Sequence, residues 1–154
     1  MKAISVLITL VLCLIGTAAY SADSPMMGKW KLNEAESKIS AGMPKNTSVV
    51  YEAAGDSVKI TVDGVDADGK PARNEWTGKF DGKDYAVKGD PTSDTRAYQQ
   101  VDDHTLTFTS KKGDKVVVTG RVVVSADGKT RRVDTTVTDA KGQKSNASAV
   151  YNKQ

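Results

Sequence analysis

HTLTFTSKKGDKVVVTGRVVVSADGKTRRVDTTVT, residues 104–138, alternates apolar and polar side chains and interrupts itself with glycine turns. Leu106 and Phe108 share one face of the run, while Thr105, Thr107 and Thr109 share the other. Val133, Thr135 and Val137 likewise oppose Arg132, Asp134 and Thr136. A period of two is that of a half-buried β-strand, whose successive side chains point to opposite faces. Lys112-Gly113-Asp114 and Asp127-Gly128-Lys129 fall between the runs. Glycine supplies there the positive φ that a tight hairpin requires. Val116-Val117-Val118 and Val122-Val123-Val124 flank Gly120, which reads as a bend or bulge within one long strand.

The same grammar extends in both directions. Gly55, Gly69, Gly82 and Gly142 sit in further polar turns, and Asp90-Pro91 and Asp102-Asp103 break the remaining runs. Val58, Ile60 and Val62 oppose Lys59, Thr61 and Asp63, and Trp76 and Phe80 oppose Glu75, Thr77 and Lys79. The spacing predicts ten strands, near 28–32, 46–54, 57–63, 71–80, 84–88, 95–101, 104–111, 115–125, 130–138 and 143–152. Only Asn33 to Lys38 reads as a short helix, with Asn33 as its cap and acidic residues in its first turn. Large sheets with open edges aggregate unless they split or close. The expectation is an all-β, up-and-down antiparallel meander closing into a barrel, with a two-layer sandwich as the alternative.

The N-terminus has a different character. Met1-Lys2 gives a short positive start, Ala3 to Gly16 is apolar apart from Ser5 and Thr9, and small residues lead to Asp23. That order is the layout of a secretory signal peptide, predicted over residues 1–22. The apolar run is too short for a spanning helix, which needs roughly 18–20 residues. Cys13 lies mid-way along it behind Leu12, where a lipidation site would want a small residue, so it reads as one more hydrophobe. Cleavage there leaves one domain, residues 23–154, without cysteine, exported to the periplasm or beyond and lacking a membrane segment.

Several function classes lose their chemistry at this point. Without cysteine there is no thiol nucleophile, thiolate metal site or redox pair. The domain carries 21 basic and 19 acidic residues, interleaved, with no stripe to track a nucleic-acid backbone. His104 is the only histidine, too few for zinc, and its neighbours Asp102 and Asp103 read as turn residues rather than as partners of a general base. Gly64 to Glu75 partly mimics a calcium loop, yet Gly64 stands where an acid is needed and Pro71 breaks the segment. The expectation is a monomer with no catalytic residue, metal or cofactor.

Gly28-Lys29-Trp30-Lys31-Leu32 opens the domain with a G-x-W pattern, and Ala149-Val150-Tyr151-Asn152-Lys153 ends it. With the ten-strand meander between them, these motifs resemble the calycin superfamily, lipocalins and fatty-acid-binding proteins, and above all small exported bacterial lipocalin-like proteins. The resemblance implies that Trp30 plugs the closed end. Fatty-acid-binding members hold a carboxylate with an arginine and a tyrosine on the last strand and an arginine on an earlier one. Tyr151 fills the tyrosine place, Ala149 stands in the arginine place, and Arg121 falls near the earlier arginine. Residues 33–46 are too few for that family's helix-turn-helix lid.

A barrel of this size can hold a small molecule. By alternation, the interior receives Trp76, Tyr85, Phe108, Ala149 and Tyr151, and small residues beside aromatics leave room for a ligand. If Arg121 faces inward, with Val117, Thr119 and Val123, it would anchor a polar head. The reading is a binder of a small apolar or amphipathic ligand. The alternative is a protein-interaction or protease-inhibitor module that uses the short start Asp23 to Met27.

Overall fold

The computed structural model describes residues 20–154; most of the predicted signal peptide, 1–19, lies outside the described residues. Ten strands follow one another: β1 (Gly28–Lys38), β2 (Lys45–Ala54), β3 (Ser57–Val65), β4 (Pro71–Gly78), β5 (Tyr85–Lys88), β6 (Thr95–Asp102), β7 (Thr105–Lys112), β8 (Lys115–Val124), β9 (Thr130–Thr138) and β10 (Lys144–Lys153). Each pairs antiparallel with its chain neighbours, and β10 returns to β1, so the sheet closes into a barrel. Closure removes the edges that a ten-strand open sheet would expose.

Turn chemistry sets the strand breaks. Between β3 and β4, Gly69 takes φ 79° while the Asp66 carboxylate accepts the N–H groups of Asp68 and Lys70, both at 2.9 Å. Asp139 does the same for Lys141 and Gln143 between β9 and β10. The carboxylate that mimicked a calcium ligand, Asp66, is thus engaged by backbone donors of its own turn.

Among the described residues there is no helix, and Asn33 to Lys38 continues β1. Asn33 pairs with Val150 and Lys38 with Ser148, so four residues bulge out over Ala149. Ser37 fills the gap: its Oγ accepts the Val150 N–H at 2.9 Å and donates to the Asn33 carbonyl at 2.7 Å. A one-turn helix with no apolar face gains too little to compete with such pairing.

Gly120 is not a bulge either. It pairs in register with Phe108 on one side and Thr135 on the other. The irregularity lies earlier, where Ser110 faces Val118 but Lys111 faces Val116, leaving Val117 as the extra residue. Gly120 is needed for a different reason: a Cβ there would collide with the Phe108 ring and come within 2.9 Å of the Asp134 carbonyl.

One end of the barrel is sealed. Trp30 is fully buried and donates its indole N–H to the Met26 carbonyl at 3.1 Å. Met26 and Met27 are buried with it. Beside them Trp76 and Phe80 stack at 6.2 Å, with Tyr20 edge-on to Phe80 at 5.1 Å. The opposite end carries the connections between β1 and β2, β3 and β4, and β5 and β6, and it forms the mouth.

Candidate functional site

A cavity of about 440 Å³ runs from the mouth into the barrel. Ile39, Pro44, Asp66 and Pro91 line its entrance. Deeper, Phe108, Val122, Val133 and Ala149 form apolar walls, and the Phe108 ring meets Tyr98 at 5.5 Å. These side chains come from inward positions of β7, β8, β9, β10 and β6, as strand alternation requires.

At the bottom stands Arg131, on β9 directly opposite Tyr151 of β10. Its residue is 3% exposed, and its guanidinium carbon lies 4.9 Å from the ring centres of Trp30, Tyr51 and Tyr151 alike. Nε and Nη1 are buried without a hydrogen-bond partner. Three ring faces stabilise the charge, each by about 0.5–2 kcal/mol. They do not supply Nε and Nη1 with an oxygen to meet.

The two phenols beside it are neutral. Burial pushes the Tyr51 hydroxyl far above its ordinary range, with the nearby Tyr98 adding to the effect and Arg131 opposing it. Burial raises the Tyr151 hydroxyl too, again against the pull of Arg131. The floor therefore presents one fixed cation and two phenolic O–H groups.

A second arginine lies nearer the mouth and is satisfied. Arg96 donates through Nε to Ser110 Oγ at 2.9 Å and through Nη2 to Asp90 Oδ2 at 3.3 Å. Burial pushes the Asp90 carboxyl up, but hydrogen bonds from Ser93 and Thr92 and the Arg96 charge outweigh it and hold the group below the ordinary carboxylate value. The Arg96 carbonyl also receives the Trp76 indole N–H at 2.8 Å.

The structure brings together only part of the set expected from sequence. Phe108, Ala149 and Tyr151 line the cavity. Trp76 and Tyr85 face inward but lie outside its lining, edge to face at 5.7 Å in the aromatic cluster, with the Tyr85 hydroxyl donating to Asp81 at 3.0 Å. Arg121 points away from the interior. It is exposed on the outer face, paired across strands with Thr107 and Asp134, in a surface groove with Arg132 and Lys38. The inward face of β8 carries Val118, Gly120, Val122 and Val124 instead. His104 gives its backbone N–H, not its ring, to the Asp102 carboxylate at 2.8 Å.

No protein-family model and no curated protein matches the chain. The site stands on its own residues, of which Arg131, Tyr51 and Tyr98 were not singled out from sequence. A signal for Arg131 existed: it precedes Val133 by two residues and so shares its inward face. A charge on an apolar stripe needs a partner or a purpose.

Proposed function

We propose that this protein is a non-catalytic, exported, lipocalin-like barrel that binds a small apolar or amphipathic molecule in its interior. One observation carries the reading: the barrel encloses about 440 Å³ behind a partly open mouth, with apolar and aromatic walls interrupted by polar and charged groups such as Asp90, Arg96, Ser110 and Arg131. Small-molecule sites have this size, from about 300 Å³ upward, and combine an apolar wall with polar groups that orient the ligand. The N-terminal layout of residues 1–22 supports export, and the sealed floor supports a single entrance at the other end.

Binding of an environment-sensitive hydrophobic dye tests the reading. The wild-type protein should enhance its fluorescence. Ala149→Trp should fold, by circular dichroism, and lose the dye, because Ala149 lines the cavity and is only 8% exposed. A folded wild type that binds no dye, and carries no small molecule by native mass spectrometry from its own host, would defeat the proposal.

A further inference from the structure

We infer that Tyr20 stays on the finished protein: the leader is cut off before it, after Ala18 or Ala19, and the tyrosine then seats in the floor of the barrel as part of the fold. This rests on the proposed export of the chain and moves the end of the leader upstream of Ala22.

Three exits satisfy the chemistry of leader removal, which takes place behind small residues in an A-x-A-like pattern. Gly16-Thr17-Ala18, Thr17-Ala18-Ala19 and Ala19-Tyr20-Ser21 all fit, whereas Tyr20-Ser21-Ala22 puts a bulky ring at the first place. The first two leave Tyr20 on the mature chain, and the third removes it. Contacts within the folded domain separate them.

The hydroxyl oxygen of Tyr20 accepts the backbone N–H of Phe80 at 2.7 Å. Phe80 lies between β4 and β5, outside the strands, so the phenol stands in for a ladder acceptor. The Tyr20 ring is edge-on to the Phe80 ring, which in turn meets Trp76, Tyr98 and Tyr51. Tyr20 thus closes one side of the aromatic cluster in the floor.

The residues behind it continue the same structure. The Ser21 carbonyl accepts the Ser24 N–H at 3.1 Å, its Oγ accepts the Asp23 N–H at 3.2 Å, and the Met27 N–H reaches the Ser24 carbonyl at 3.0 Å. Lys153 Nζ holds the Pro25 carbonyl at 3.3 Å from the end of β10. A cut after Ser21 or Ala22 would remove the acceptors of Ser21 together with Tyr20. It would leave the Phe80 N–H without its partner and one edge of the Phe80 ring uncovered. A discarded leader contributes nothing to the mature fold, so a side chain seated in this way belongs to the part that remains.

The test is to express the full chain from its own leader in a Gram-negative bacterial cell and to read the first residue of the periplasmic protein by mass spectrometry. Ala19 or Tyr20 is the expected start. Any start after Tyr20 overturns the inference and leaves the proposed export intact. A chain retained uncleaved in the cytoplasm removes the proposed export and this inference with it. The exported Tyr20→Phe and Tyr20→Ala variants, melted beside the wild type, test the seat itself. Tyr20→Phe loses the acceptor and keeps the ring, so its Tm should fall by about 3 °C, and that of Tyr20→Ala by more. Should Tyr20→Ala fail to fold or to be exported, Tyr20→Phe decides alone. A Tm unchanged in Tyr20→Phe overturns the assignment of Tyr20 to the floor.

Discussion

The guanidinium carbon of Arg131 stands 4.9 Å from the ring centre of Trp30, although the two residues lie on strands separated by β10. The contact ties the sealing tryptophan to a cation of the cavity lining, so floor and cavity share one structural unit. Lys153 adds to it, with Nζ 5.1 Å above the same ring and donating to the Pro25 carbonyl at 3.3 Å.

Trp30→Phe should therefore cost stability without destroying the barrel. The substitution keeps an aromatic face for Arg131 but removes the donor to the Met26 carbonyl, which is buried with it. A buried acceptor left without its partner costs about 1–3 kcal/mol, and the smaller ring adds a cavity. The midpoint of urea unfolding should fall with its slope unchanged. An unaltered midpoint would show that the floor does not depend on this hydrogen bond.

Gly120→Ala should destabilise the barrel by about 1–3 kcal/mol, as overpacking of a filled layer does. The added methyl group meets the Phe108 ring, and the Asp134 carbonyl at 2.9 Å blocks retreat toward β9. Phe108→Leu in the same chain should recover part of the loss, because the shorter side chain vacates the space. A double-mutant cycle in thermal unfolding reads this directly. Additive losses would mean that ring and glycine are not coupled.

These two positions show what sequence reveals and what it hides. The turn signals and alternating runs were enough for ten strands and closure, since each hairpin is encoded locally. The phase of β8 was not legible. Valines occupy both faces of Val116-Val117-Val118 and of Val122-Val123-Val124, and the extra residue at Val117 shifts the parity between them. Arg121 could therefore be placed on either face, and the structure puts it outside. β9 is unambiguous by comparison, and Arg131 was readable from Val133. Its meaning was not, because the rings that enclose it come from β1, β2 and β10, far away in the chain. Asn33 to Lys38 looked helical from local capping chemistry, while its pairing with Ser148 and Val150 is long-range information.

The Asp90–Arg96 pair predicts a component of acid sensitivity. Both side chains are largely buried, at 13% and 11% exposed, and the carboxyl is held below its ordinary value. A depressed folded-state pKa stabilises the fold above the unfolded value, about 3.9 for aspartate. That contribution disappears as pH falls through the lower folded value. Asp90→Asn should cost about 1–3 kcal/mol at neutral pH, through the weakened partners of Arg96, Ser93 and Thr92. The gap between variant and wild type should close below about pH 4. A gap that is constant from pH 7 to the acid limit would assign the loss to packing rather than to charge.

Tyr51 predicts the alkaline side. Burial raises its folded-state pKa far above that of an unfolded tyrosine, which ionises near about pH 10. For a raised group the stabilisation is complete below the unfolded value and is lost as pH climbs beyond it, because only the unfolded chain then releases the proton. Stability should accordingly fall above about pH 10, more steeply than exposed groups alone would produce. Tyr51→Phe removes the titrating hydroxyl while keeping the ring against Arg131, so the same alkaline slope should become shallower. Absorbance of phenolate would follow the event in parallel, with the Tyr51 component appearing only as the barrel opens. If Tyr51→Phe leaves the alkaline slope unchanged, the hydroxyl titrates equally in both states, and the floor around Arg131 is open to water.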